Sequence, residues 1–296
     1  MRFGFIHKHK DEYSIARMCR LFDVTRQGYY EYLKSLDKPC KHAPLLAMIE
    51  AIINEDEFND EYGRRRIASA LALKGVGVSE STVYRVCSKF GILQKKRKPK
   101  GLTKADKAAR RDAGLLNGNF VSDEPNKKLI GDITQLPTAD GTLYIAGVYD
   151  CFDSECVGLA MDDNMRDELT QNALKMAAKR HKIKGAALHT DFGSQYTSNG
   201  FKRLAKKLSV AQSMSLAKLS CYGNAKCESI FGRFKVEAIY GRYDTKNMSM
   251  AEVKTLVFRY FMGYWNNRRI STANGGLPPA VKRLRFYEMQ GLDLAA

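Results

Sequence analysis

The sequence predicts a mixed α/β sheet covered by helices, preceded by an all-α front of two helical hairpins. Three observations predict it. Up to Phe90 the apolar residues recur at helical spacing. After residue 125 the period switches to that of strands interleaved with helices. Between the two lies a strongly basic stretch without apolar periodicity.

In the front, Ser14 is placed to cap a helix bearing Ile15, Met18, Cys19 and Phe22. Asp23 and Val24 form a turn. Thr25 is placed to cap a second helix, with Tyr29, Tyr30 and Leu33 inward and Arg26, Gln27 and Lys34 outward. This is helix-turn-helix spacing, and the second helix suits a DNA major groove. Pro39 to Pro44 breaks the pattern, and Leu45, Ile49, Ile52 and Ile53 mark the next apolar face. A second pair spans Tyr62 to Phe90. Arg64, Arg65 and Arg66 open its first helix, Gly75 and Gly77 end it, Ser79 caps the next, and Val83, Val86 and Phe90 form the stripe.

The segment from Gln94 to Asp112 carries Lys95, Lys96, Arg97, Lys98 and five further cations against two aspartates. It reads as a linker that tracks phosphate. If all nine cations met phosphates, affinity would fall roughly 10³–10⁵-fold between 50 and 200 mM salt. The net charge of +17 over 296 residues likewise favours a polyanionic partner, nucleic acid ahead of acidic membrane. There is no leader and no long uncharged apolar run, so a cytoplasmic, nucleoid-associated protein without a membrane partner is expected. Seven cysteines in no framework spacing fit a reducing compartment, and His7, His9, Cys19, Cys40 and His42 match no common zinc pattern.

Beyond residue 125, strands are expected at Leu129–Leu136, Thr142–Tyr149 and Cys156–Met161, the first two joined at Asp140-Gly141. A helix at Asp167–Lys179, a buried strand at Ala186–His189, a helix at Phe201–Leu208 and a strand at Val210–Met214 follow. A helix starting near Gly223 carries Cys227, Ile230, Phe231 and Phe234 as its apolar stripe, and a helix at Ala251–Asn266 precedes Arg268, Arg269 and Pro278-Pro279.

Asp132 lies in the first strand, Asp191 just past a buried strand, and Glu228 on the helix after it. Three acids on rigid elements could hold hard divalent cations, which phosphodiester cleavage uses to activate a nucleophile and neutralise the leaving oxygen. Asn224, Glu228 and Lys235 lie near one polar line of that helix. Spacing alone leaves competitors open, because Asp150, Asp153, Glu155, Asp162 and Asp163 fall in the same region.

Motifs separate them. His189 to Ser198, HTDFGSQYTS, resembles the H-S-D-x-G-x-Q-Y-x-S signature of the OrfB transposases of insertion-sequence family three. Gln212 to Ser215 and Asn224 to Ser229 resemble its Q-S-M-S and D-N-A-x-x-E-S elements, and Asp132-Ile133-Thr134 its first D-I-T. Tyr62 to Ile67 and Tyr264 to Arg269 resemble its Y-G-x-R-R-I and Y-N-x-x-R elements. The chain departs from the pattern at Gly131, at Asp153-Ser154-Glu155-Cys156, and in enclosing 36 residues between Asp191 and Glu228, one more than usual.

The resemblance implies a ribonuclease-H-like core of the retroviral integrase type, with Asp132, Asp191 and Glu228 as catalytic, metal-holding residues. It implies two Mg2+ ions, with Mn2+ able to substitute. It also implies action on double-stranded DNA, at the element's terminal inverted repeats and at target DNA, by a homo-oligomer. An OrfA protein is expected as partner or fusion. Arg26, Gln27, Arg64, Arg65, Arg66, Lys95, Lys96, Arg97, Lys98, Asn224, Lys235, Arg268 and Arg269 are expected DNA contacts, and His189 is expected either to orient the site, to contact substrate or to be structural. The expected domains are 1–40 and 41–93, both helix-turn-helix-like; a basic linker, 94–124; the catalytic core, 125–245; and a C-terminal helix and basic tail, 246–296. A DNA-binding repressor and a ribonuclease H or resolvase are the rival readings.

Overall fold

The computed structural model describes residues 2–36, 41–92, 120–214 and 225–291. The expected basic linker residues Lys95, Lys96, Arg97 and Lys98 lie outside these, as does Asn224. The chain divides into two compact units, Met1–Ala51 and Ile52–Ala296.

In the first unit, α1 (Arg2–Lys8), α2 (Ile15–Leu21) and α3 (Arg26–Leu36) enclose Ile6, Met18, Cys19 and Tyr29. The sequence reading missed α1, whose apolar content is short and diluted by cations. Thr25 caps α3 by accepting from the Gly28 N–H at 3.0 Å, whereas Ser14 makes no such bond. Tyr30, expected inward, is 52% exposed; Tyr29, with Tyr32 and Leu33, forms the inward side of α3. Helix α4 (Ala43–Asn54) crosses into the second unit.

There, α5 (Arg64–Leu73) and α6 (Glu80–Lys89) pack together, and Ser79 caps α6 by accepting from the Thr82 N–H. Cys87, not Phe90, completes the buried stripe of α6. A five-stranded sheet follows: β1 (Lys128–Thr138), β2 (Gly141–Asp150), β3 (Cys156–Asp162), β4 (Ala187–Thr190) and β5 (Ala211–Met214), in the order β3-β2-β1-β4-β5. β1 pairs antiparallel with β2 and parallel with β4, so it is central. Helices α7 (Asp167–Arg180), α8 (Ser194–Thr197) and α9 (Asn199–Lys207) join the later strands. Alternation along β1 sends Leu129 into a core with Val148, Leu188, Leu174 and Phe201 on the α7 face. Helix α7 lies directly on β3: a Cβ at Gly158 would stand 2.2 Å from the Ala173 carbonyl oxygen, so only glycine fits.

The other face is covered by α10 (Ala225–Phe234) and an aromatic cluster from α11 (Met250–Phe258) and the π-helical turns Arg259–Trp265 that continue it. Phe231 and Phe261 both lie against Tyr149, with ring centroids 5.7 Å away. The π-helical segment Lys235–Ile239 extends α10 and carries Glu237, which is 2% exposed. Arg269 grips it at 2.7 Å through two nitrogens, Arg66 pairs with it at 2.8 Å, and the Tyr260 hydroxyl donates at 2.8 Å. Burial opposes the charge on Glu237, yet the two guanidiniums hold its carboxyl down at about 2. Among the described residues no helix is long and apolar enough to cross a membrane.

The C-terminal segment is a further helix, α12 (Pro279–Met289), rather than a basic tail. Proline suits the first helical turn, so Pro278-Pro279 opens this helix. Its Arg283 is 4% exposed and pairs with Asp150 at 2.6 Å, Asp153 at 2.8 Å and Glu155 at 2.8 Å. His181, driven to about 3 by burial and by Arg283 and Arg180, accepts from Arg283 as a neutral ring at 2.8 Å. Three of the competing acids are therefore bound up in a structural cluster. Arg180 reaches only Glu155, at 3.8 Å, so removing Arg283 strands Asp150 and Asp153; Arg283→Met should cost about 3–5 kcal/mol and lower the melting temperature by roughly 10 °C. The deficit should shrink at lower pH: burial already pushes Glu155 up to about 7, so protonation relieves the repulsion. Thermal melts at pH 8 and pH 6 check both expectations.

Candidate active site

Asp132 sits on central β1 opposite Gly147 of β2, on the face covered by α10. The Tyr149 ring folds over Gly147, where a Cβ would stand 2.6 Å from it. The absent side chain thus admits the ring that walls the carboxylate. Asp132 Oδ1 accepts from the Ile133 N–H at 2.8 Å. Burial, then the nearby charges of Asp191 and Glu228, push its carboxyl up to about 7, against the pull of the Ile133 N–H and of Lys235.

Asp191 follows β4 directly. Period-two alternation from Leu188, which faces α7, puts Asp191 on the Asp132 face. It is exposed, and its Oδ1 accepts from the Gly193 N–H at 3.2 Å. The residues around it brace this turn. Gln212 donates to the Tyr196 carbonyl at 3.0 Å, and Gln195 to the Met165 carbonyl at 3.0 Å. Ser198 caps α9 and donates to Asp167 at 2.7 Å. Tyr196 is buried edge-on to Phe201. His189 is 4% exposed, with Nδ1 3.0 Å from the Ser213 hydroxyl and its ring edge-on to Phe120. It ties β4 to β5 and so stiffens the strand that delivers Asp191.

Glu228 stands exposed on α10, whose inward residues Cys227, Ile230, Phe231 and Phe234 seat the helix on the sheet. Lys226, which sequence reasoning passed over, donates to the carbonyls of Phe120 (3.1 Å) and Cys151 (2.8 Å). It fixes the start of α10 two residues before Glu228. Its signal was a lysine one step from the apolar stripe, which is ordinarily read as surface. Lys235 is half-buried within the electrostatic reach of Asp132, its pKa lowered by burial despite that attraction.

The fold therefore turns all three acids to one end of one sheet face, near enough for Asp191 and Glu228 to act on Asp132. They are not drawn into a common ligand shell: among the described residues no three His, Cys, Asp or Glu side chains are close enough to share a metal ion. The donor set itself, three carboxylates with a single lysine beside them, is one that hard divalent cations favour.

Residues 122–218 match the family described as Integrase core domain, and residues 42–100 match the HTH-like domain. The chain is 31% identical over 283 residues to the transposase InsF for insertion sequence IS3A of Escherichia coli, covering 94% of this chain and 97% of that one. The chain belongs to the IS3-family transposases. Among solved structures it resembles the simian T-cell lymphotropic virus intasome in complex with PP2A regulatory subunit B56 gamma (16% identity, TM-score 0.47, 73% of this chain and 70% of that one). It also resembles the HTLV-2 integrase catalytic core domain in complex with magnesium (13% identity, TM-score 0.37, 54% of this chain and 98% of that one). The transposase thus has an integrase-type catalytic core, and it is a polynucleotidyl transferase of DNA strand transfer.

The expected DNA contacts of the transposase divide by environment. Arg26 and Gln27 are exposed on α3. Arg64 and Arg65 are exposed and share Glu80, each at 3.5 Å. Arg268 is exposed beside Asp56 at 3.2 Å. Arg269 is a correction: its side chain is 2% exposed, bound twice to Glu237 and stacked 4.4 Å over Trp265, so it braces the fold and reaches no phosphate. Arg66 pairs with the same carboxylate and is mostly buried. The segment departing from the family pattern at Asp153-Ser154-Glu155-Cys156 is explained by Arg283, which needs those acids; nothing in the structure requires glycine at 131.

Asp132 yields a stability test. Its folded pKa of about 7 lies above the ordinary 3.8, so ionising it costs stability as pH rises through that interval. Asp132→Asn removes the cost. In magnesium-free buffer the variant should be more stable than the parent by roughly 1–3 kcal/mol at pH 8.5, after allowance for solvent screening, and by about a third of that at pH 5. Thermal melts at the two pH values measure the difference. A pH-independent gap would mean that the carboxylate is not strained by its neighbours.

Proposed function

We propose that Asp132, Asp191 and Glu228 are the catalytic carboxylates of this transposase and together hold two magnesium ions, with manganese able to replace them. The support for this reading is the electrostatics of Asp132: its charge is opposed by burial and by two other acids on the same face, with Lys235 as the opposing cation. Every other buried acid on that face or at its edge has an arginine partner within the protein. Bound magnesium would activate the attacking oxygen and neutralise the leaving one. The chain's own residues do the rest. The Ile133 and Gly193 N–H groups aim the carboxylates of Asp132 and Asp191. Lys226 anchors the helix that carries Glu228. Lys235, seven residues after Glu228, is placed to meet a phosphate oxygen beside it. His189 acts through position, not contact.

On this reading the substrate is duplex DNA at the element's terminal inverted repeats. Water attacks a backbone phosphate at an element end, and the freed DNA 3′-hydroxyl then attacks a second phosphodiester, one P–O bond forming as another breaks. A homo-oligomer would hold two ends together, in the cytoplasm at the nucleoid, with OrfA as partner or fusion. Arg26 and Gln27 on α3, with the basic segment containing Lys95, Lys96, Arg97 and Lys98, would grip the DNA.

The test uses labelled element ends with magnesium. Asp132→Asn, Asp191→Asn and Glu228→Gln should each reduce cleavage and joining by at least about 100-fold while binding the same duplex with the parent's affinity. A variant that cuts as well as the parent removes that residue from the site. Uncut but tightly bound parent DNA would favour the repressor reading.

A further inference from the structure

A pocket of about 340 Å³ opens where α5 begins, lined by Gly63, Arg64, Arg65, Arg66, Arg233 and Thr272. Its charge is unbalanced. Arg64 and Arg65 share one carboxylate, Glu80. Arg66 shares Glu237 with Arg269, which already satisfies it bidentately. Arg233 has no ion pair or hydrogen bond among the described residues. Arg233 is exposed overall; partial burial of its guanidinium and then the charges of Arg269 and Arg66 lower its pKa, while Glu237 and Tyr260 pull the other way. Five guanidiniums thus meet two carboxylates, an excess of three positive charges. Such crowding is costly unless an anion shares the space.

The pocket is also preorganised. Arg64 stacks over Tyr84 at 5.6 Å and Arg66 over Tyr62 at 5.3 Å, which holds both side chains in place. Gly63 is the N-cap of α5 and offers no side chain, so no side chain caps the first amides of the helix, and Gly63 to Arg66 line the pocket. Uncapped amides, a helix dipole and planar guanidinium forks together select a tetrahedral oxyanion.

We propose that this pocket seats one phosphate of the DNA backbone, and a different phosphate from the one at the carboxylates. Arg233 lies on α10 five residues after Glu228, roughly 7.5 Å further along the axis and about 140° around it. Lys235, at seven residues, returns to the Glu228 side. One helix therefore carries the catalytic acid on one side and the pocket's arginine on another. A backbone phosphate held by Arg233 and the start of α5 would fix the duplex at a set distance from Glu228. The proposal rests on the reading above only in taking DNA as the polyanion.

Binding of a short duplex to the full chain, in EDTA so that no cutting contributes, tests it. The salt dependence is read between about 50 and 200 mM. Arg65→Gln and Arg233→Gln should each weaken binding about 3- to 10-fold and lower the slope of log affinity against log salt by about 1, whatever the sequence. The double variant should also lose about 1, not 2, because both arginines serve one phosphate. Lys175→Gln, an exposed cation on α7, should leave the slope unchanged. The Arg65 side chain is 71% exposed, so its variant reports binding even if Arg233→Gln folds poorly. Unchanged slopes for Arg65→Gln overturn the proposal. So does a pocket that takes only free anion: inorganic phosphate raising the melting temperature of the parent but not of Arg233→Gln, with equal DNA affinity. Failure of the carboxylate variants to abolish cutting would leave these slopes untouched, so the two readings fail separately.

Discussion

The face of the sheet that carries the proposed site is held together by one buried carboxylate. Glu237 joins the extension of α10 to α5 through Arg66, to the C-terminal segment through Arg269, and to the aromatic cluster through Tyr260. Such a carboxylate stabilises only because its partners surround it; without them, burial alone would leave it neutral. Its consequence is positional. The helix bearing Glu228 is clamped at its start by Lys226 and just beyond its end by Glu237, so Glu228 has little freedom to drift relative to β1.

The buried acids of the core then fall into two kinds. Asp150, Asp153 and Glu155 surround Arg283, and Glu237 is enclosed by Arg66 and Arg269. In both clusters the counter-charge is built into the chain. Around Asp132 it is not: burial and then two further acids raise its carboxyl, against the Ile133 N–H and Lys235. The deeply buried acids Asp150, Asp153, Glu155 and Glu237 each have an arginine, whereas Asp132 has only Lys235 in reach. This contrast separates Asp132 from Asp150, Asp153 and Glu155.

Much of the core was legible because its periodicities are clean. Short apolar, strand-like runs marked β1 and β2, the Asp140-Gly141 turn joined them, and the stripe of Cys227, Ile230, Phe231 and Phe234 gave α10 its inward face. What escaped reading did so for physical reasons. Pro278-Pro279 looked like a terminus but suits a helix start, which hid α12 and therefore Arg283. Arg269 looked like a phosphate contact because its partner, Glu237, lies 32 residues away in sequence. Burial of a charged side chain depends on such distant partners, which local patterns do not record. The three acids were found through motif resemblance; their spacing alone could not exclude Asp150 or Glu155.

The signature around Asp191 shows why a motif outlives the chemistry of any one residue in it. Of the side chains from His189 to Ser198, Asp191 is the one proposed to meet metal. His189 is tied to Ser213, Gln195 to Met165, Tyr196 to the core and Ser198 to Asp167. Gln212, from the next motif, reaches back to the Tyr196 carbonyl. The run of motif residues is thus a brace for a short, exposed turn, whose aspartate must hold its direction against the repulsion of Asp132 and Glu228. Loosening the exposed brace at Gln195 would cost position before it cost stability, whereas Tyr196 belongs to the packed core. The same logic explains the C-terminal motif. Tyr264 donates to Asn59, Trp265 to the Ser154 carbonyl, Asn266 to the Cys156 carbonyl, and Arg269 to Glu237. That segment ties the start of β3, the turn Glu57–Glu61 and the end of α10 into one frame, with Arg268 left as its outward cation.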